Sequence, residues 1–196
     1  MRRVTAPWLV VGVVGLGLGW GVLSAEPPPD DPRKVAQAAI VKLSDNLEAK
    51  DVGERARLIV QQNDSCDIST IFTSERRGGL GIGKATEAKH PDSIERLVRD
   101  FATRKTTTEA ELEQYRDDYL RVAKVMQAMA ELAPHRGAPF TRGNPERVKA
   151  WDKVSAEFKQ NTAAFRRAVE QTDPKQVRLT AQTLQGTCLA CHMLRE

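Results

Sequence analysis

The sequence predicts an all-α fold, an antiparallel four-helix bundle with an inserted loop and short helix, and three observations carry that expectation. Apolar residues recur at steps of three and four over most of the chain, which is the period of one helix face. Three stretches open with a capping residue followed at once by proline, Asp31-Pro32, Asn144-Pro145 and Asp173-Pro174, a pairing that starts helices. Strand-like alternation is absent, and aromatic residues make up only 5% of the chain. At 196 residues, with 40% hydrophobic and 29% charged residues, the composition is that of one globular domain with an appendage.

The appendage comes first. Arg2 and Arg3 precede an apolar, Gly-rich run from Trp8 to Leu23, and Val22-Leu23-Ser24-Ala25 supplies small residues at its end. This pattern reads as an export signal. A cut after Ser24 puts Val22 at the third position before it, whereas a cut after Ala25 puts the poorer Leu23 there. An uncleaved anchor is the competing reading, because Ala6 to Ala25 gives 20 residues, just enough to span a bilayer. Both readings place the remainder outside the cytoplasm, as an exported, periplasmic protein that is membrane-tethered in the second case. The organisation expected is thus residues 1–25 as signal peptide or N-terminal membrane anchor, 26–31 as a stiff Pro-rich spacer, and 32–196 as a helical domain. Without Arg2 and Arg3 the formal charge of +4 falls to about +2. No basic run marks a nucleic-acid surface.

Within the domain, Val35, Ala36, Ala39, Ile40, Leu43 and Leu47 form the apolar face of a first helix. Asp51-Val52-Gly53 interrupts it, and Glu54 to Gln62 resumes. Residues 64–105 then lose the pattern, apart from a single turn over Asp67 to Phe72 and a short helix opened by Pro91, Asp92 and Ser93. Inside that segment Gly78, Gly83 and Lys84 fit a phosphate-loop frame. Ala85, however, occupies the position of the magnesium-binding Ser or Thr, no strand precedes the frame, and an exported chain meets no nucleotide triphosphate. Residues 76–85 therefore read as a flexible basic loop packed against the edge of a prosthetic group or against a partner. Thr108 and Glu111 form a capping box for the clearest helix, whose stripe is Leu112, Tyr115, Tyr119, Val122, Met126, Met129 and Ala133 in 3-4 steps. That is bundle packing. Pro134 ends it. The next helix turns Val148, Trp151, Val154, Phe158, Phe165 and Val169 inward. A tight turn at Asp173-Pro174 leads to the last helix, which buries Val177, Ala181, Leu184, Cys188 and Cys191.

The last helix carries the chemistry. Cys188, Cys191 and His192 spell Cys-x-x-Cys-His, the attachment signature of a c-type haem. Residues three and four apart share a helix face, so both sulfurs reach vinyl edges of one porphyrin and His192 falls under the iron as proximal ligand. A bare Cys-x-x-Cys also serves as a redox disulfide or half a zinc site. Zinc would need a second ligand pair, and the other candidates, Cys66, His90 and His135, are isolated in sequence. His90 and His135 read as solvated loop residues. Cys66 is left as an odd thiol, buried or idle. Because the cysteines continue the apolar stripe, the porphyrin is expected inside the bundle.

Four amphipathic helices with this motif on the last one resemble the class II cytochromes c, the family of cytochrome c′ and the low-spin cytochromes c556. The likeness covers roughly Leu112 to Arg195 and includes Ala130-Glu-Leu-Ala-Pro134, Trp151 to Lys159 and Gly186-Thr-Cys-Leu-Ala-Cys-His192. Residues 64–105 have no counterpart in it, and Met193 and Leu194 stand where the family carries an aromatic after the histidine. The resemblance implies one covalent haem c, with Arg195 as a contact for a haem propionate or a screen over the proximal imidazole, against the reading of a solvated terminal Arg, and it implies pairing of two copies through first helices. It also implies that a low-spin member takes a methionine ligand from the first helix. Pro32 to Gln62 holds no Met or His, so Met126 or Met129 is the remaining thioether candidate, against the reading that both are packing. Two functions stay open on these residues. One is a redox carrier passing single electrons to a protein partner, and the other is a five-coordinate haem module that binds NO or CO as sink or sensor. An enzyme is disfavoured, since no distal acid–base pair can be placed.

Overall fold

The computed structural model describes residues 31–104 and 106–194. The expectations for residues 1–25, for the spacer before Asp31 and for Arg195 lie outside the described residues. All regular secondary structure among the described residues is helical, in nine α-helices joined by turns and short 3-10 segments: α1 Pro32–Ser44, α2 Val52–Gln62, α3 Ser65–Thr70, α4 Ile94–Thr103, α5 Glu109–Gln114, α6 Arg116–Leu132, α7 Ala138–Thr141, α8 Pro145–Glu170 and α9 Pro174–Met193. No helix among the described residues is long and apolar enough to cross a membrane.

The three cap-plus-proline signals are the helix starts. Asp31 Oδ1 accepts from Arg33 N, Asn144 Oδ1 from Glu146 N and Arg147 N, and Asp173 Oδ1 from Lys175 N and Gln176 N. Each cap satisfies one or two of the amide groups that a helix start leaves unpaired. Thr108 Oγ1 accepts from Glu111 N at 3.1 Å, but the Glu111 side chain turns away to His90, so only half of the expected capping box forms.

One expected break is displaced and one expected helix is divided. The first helix ends at Ser44, whose hydroxyl donates back to Val41 O at 2.7 Å, and the interruption expected at Asp51-Val52-Gly53 falls earlier, over Asp45 to Asp51, with Val52 and Gly53 already in α2. The other, the helix from Thr108, breaks at Tyr115, where the backbone leaves the helical region (φ −111°, ψ 22°); Tyr115 N donates to Glu111 O and Tyr115 O accepts from Tyr119 N, so the residue closes α5 and opens α6. Val35 and Val148, expected to point inward, are exposed.

α9 packs against α8 on one side and α4 on the other, α6 packs against α8, and α1 and α2 cover α6. The short helix of the 64–105 segment is therefore a full member of the core rather than an accessory. Its rings lock it in place: Phe101 lies 5.1 Å from Tyr119 of α6 and 6.2 Å from Phe165 of α8, centroid to centroid. Trp151 Nε1 donates to Ala133 O at 2.9 Å, tying α8 to the end of α6. Gly137 allows this approach, since a Cβ there would meet Trp151 Cδ1 at 2.6 Å.

The segment expected as a flexible loop is pinned by carboxylates. Asp92 accepts from Glu75 N at 3.3 Å and from Ile82 N at 3.0 Å, and Asp118 of α6 accepts from Ala85 N at 3.0 Å. Gln37 of α1 donates to Gly78 O. Ile82 and Ala85 are fully buried. Amide groups that would face a phosphate in a phosphate loop are thus occupied by the protein's own anions.

Candidate functional site

The motif occupies the last two turns of α9. The helix runs antiparallel to both neighbours, and three contacts fix its register. Asn161 of α8 donates to Thr187 Oγ1 at 2.8 Å, Arg147 of α8 donates to Leu194 O at 2.7 Å, and Gln182 donates to Ala102 O of α4 at 2.9 Å. Leu184 and Thr187 face inward and are buried. Cys188 and Cys191 are half-buried and His192 is exposed. Burial falls off along the motif because α4 begins at Ile94, level with Cys188, and leaves the turn beyond it less covered. The expectation that the cysteines simply continue the buried stripe is corrected to this extent: the sulfurs lie at its outer margin.

Cys188 is a free thiol. Burial raises it to about 11, and the neighbouring Cys191 and Glu95 of α4 add to the shift by disfavouring a further negative charge. Glu95 is therefore the charged neighbour of the motif, and it is paired with Arg99 at 3.1 Å on the exposed side of α4. Sequence reasoning missed α4 as the helix facing the motif. Its amphipathic stripe, Ile94, Leu97, Val98 and Phe101, was the available signal, but nothing local says which helix it covers.

The donor set can be tested against the group that the motif implies. Among the described residues, no three His, Cys, Asp or Glu side chains converge as a cage for a bare metal ion. A porphyrin brings four equatorial nitrogens of its own and needs from the protein two sulfur anchors and one axial nitrogen. Two cysteines three residues apart and an adjoining, accessible imidazole are that donor set. The residues fit.

The other candidates fall into place differently. Met126 and Met129 are both buried in the core at 2% exposure. The contacts Trp151–Ala133 and Lys159–Glu131 (2.7 Å) set the register of α6 against α8. Carried on to α9, this register puts the two methionines at about the height of Thr187 and Cys188, on a helix whose main partner is α8. His135 is exposed, as expected. His90 is not, and this corrects the sequence reading. Its ring is completely buried, with Nδ1 2.5 Å from Asp100 Oδ2 and Nε2 3.0 Å from Glu111 Oε1. Arg104 reaches the same cluster, 3.5 Å from Glu111 Oε1, and donates to Ala88 O at 3.2 Å. A buried imidazole with a carboxylate at each nitrogen is a structural clamp between the loop and α4 and α5, with no nitrogen left for a metal. Cys66 is an exposed free thiol at the start of α3, not a buried one.

No family model, curated protein or solved structure matches this chain.

Proposed function

We propose that this chain is an exported c-type cytochrome that holds one covalent haem c and passes single electrons to and from a protein redox partner. The observation that carries the reading is the placement of Cys188, Cys191 and His192 in consecutive turns at the margin of a packed helical core, with the donor set a porphyrin requires. When bound, the haem would supply a reversible one-electron couple at iron. Cys188 and Cys191 would anchor it through their sulfurs, and His192 would supply the imidazole nitrogen to its iron. α8 and α4 flank α9 as far as Cys188, and the contacts of Thr187, Leu194 and Gln182 fix the register of the helix that carries the motif. In this reading α4, α6, α8 and α9 are the four-helix bundle, with α4 taking the place that the sequence pattern gave to the first helix. Arg195 keeps its proposed role at a propionate. The reading includes no catalytic step and no nucleic acid. It assigns the periplasm as location, with a membrane tether if residues 1–25 are retained.

One observation favours the second reading, a five-coordinate module for NO or CO. The helix facing the motif, Ile94–Thr103, contains no Met, His, Cys or Lys, so the nearest neighbour offers no strong sixth ligand. Absorption spectra of the exported protein, reduced with and without CO, separate the two. Sharp low-spin bands unmoved by CO mean an occupied sixth position, with Met126 or Met129 as donor, and a carrier. A broad reduced spectrum that shifts with CO means an open position and a gas-binding module.

A further inference from the structure

Gln182 of α9 donates to Ala102 O of α4 at 2.9 Å, which identifies the flank of α4 that meets α9. The two helices run antiparallel, so two turns back along α4 correspond to two turns on along α9. Two turns are about seven residues, which lead from Ala102 to Glu95 and from Gln182 to Leu189, the residue after Cys188. Glu95 thus lies on the α4 flank that faces α9, at the height of the first sulfur of the motif. Its turn is fixed, because Ile94 is fully buried and Glu95 N donates to Phe72 O at 3.4 Å. The Cys188 thiol registers this placement: burial first, then Cys191 and then Glu95 push it up to about 11. The counter-charge of the carboxylate is Arg99, 3.1 Å away and rooted one turn further from Cys188 along α4. We propose that Glu95 sets the reduction potential of the haem site, its carboxylate favouring the oxidised form from beside the Cys188 anchor.

This inference rests on the cytochrome reading, in which Cys188 carries the edge of the porphyrin. A group joined to the Cys188 sulfur has Glu95 as a neighbouring anion. Uptake of one electron lowers the charge of that group by one. A nearby anion therefore stabilises the oxidised form more than the reduced one and holds the potential down. Arg99 opposes this from further away. The Glu95 and Arg99 side chains are 58% and 57% exposed, so water and salt damp the field and leave a change of a few-fold in the reduction equilibrium. α4 belongs to residues 64–105, which have no counterpart in the class II cytochromes c, so this charge is particular to the chain.

Mediated redox titration of the exported, haem-bearing protein is the test. Glu95→Gln is expected to raise the potential by about threefold in the reduction equilibrium, or about 28 mV at about 59 mV per tenfold for one electron. Arg99→Gln is expected to lower it by a smaller amount. Both shifts should shrink in about 1 M salt, where the screening length is about 3 Å. In haem-free Cys191→Ser chain, Glu95→Gln should also speed alkylation of Cys188 relative to Cys66, because the thiolate loses a neighbouring negative charge. A potential unmoved by Glu95→Gln overturns the proposal. Shifts of the same sign in the two variants overturn it too, since they mark a structural disturbance rather than a field. An alkylation ratio indifferent to Glu95→Gln removes the carboxylate from the sulfur, and the proposal falls with it. A chain exported without haem fails the proposed function itself, whereas a haem-bearing chain with an unmoved potential overturns this inference alone.

Discussion

Cys188 shows how residue type and position combine in this molecule. Spacing names it as an anchor, and packing against α4 makes its thiol a poor acid, held at about 11 mainly by burial. A group whose folded pKa is raised stabilises the fold below its ordinary value, and that contribution is lost as pH rises towards the folded value. In haem-free protein, Cys188 is therefore expected to alkylate more slowly than a free cysteine between about pH 8 and 9. Its rate should catch up only as pH approaches 11. Mass-resolved alkylation of the Cys191→Ser variant at several pH values measures this directly, and a rate equal to that of exposed Cys66 at pH 8 would contradict the packing. Tyr119 makes the opposite point. Its ring is central, but its hydroxyl is buried without a hydrogen-bond partner, and burial pushes the phenol well above its usual range. Tyr119→Phe removes an unsatisfied polar atom, so denaturant unfolding should show no loss, and up to about 1 kcal/mol of gain. Both positions lie on apolar stripes read from the sequence, but the missing hydrogen-bond partner of Tyr119 and the nearness of Glu95 to Cys188 were not legible there. The same holds for His90, whose partners Asp100 and Glu111 lie 10 and 21 residues away. Burial of that kind is decided by the fold and not by neighbours along the chain.

At the scale of elements, local signals succeeded and non-local ones did not. A side-chain oxygen beside a proline determines its own surroundings within three residues, which is why Asp31, Asn144 and Asp173 marked their helices correctly. The break at Tyr115 leaves no such mark, since Tyr115 fits the apolar stripe whether or not the helix bends. The role of α4 could not be read either. Its stripe shows that it is covered, but contact with α9 rests on Gln182 and Ala102, 80 residues apart. The segment before it looked mobile because of its glycines, whereas Asp92 and Asp118 make it a fixed connection. Gly79 belongs to that design, since a Cβ there would sit 2.1 Å from Thr73 O. Asp92→Ala removes the acceptor of two backbone amides, at a cost of about 1–3 kcal/mol. Hydrogen exchange should then show faster exchange at Glu75 and Ile82 than in α8. Unchanged protection at Ile82 would mean that other contacts hold the loop.

For the whole molecule, the all-helical class followed from periodicity and the motif from five adjacent residues. What the sequence left open was which helices surround the motif. The structure gives α8 and α4 that position, with Met126 and Met129 buried on α6, which packs on α8. Function then rests on whether the chain is joined to a haem. The most direct measurement is the intact mass, under denaturing conditions, of the protein exported into a periplasm equipped for haem attachment, compared with Cys188→Ser/Cys191→Ser. The parent chain is expected to carry the mass of one haem through denaturation and acid extraction, while the double variant has the mass of bare polypeptide. A parent chain with the bare mass, folded and exported, would contradict the proposed function outright.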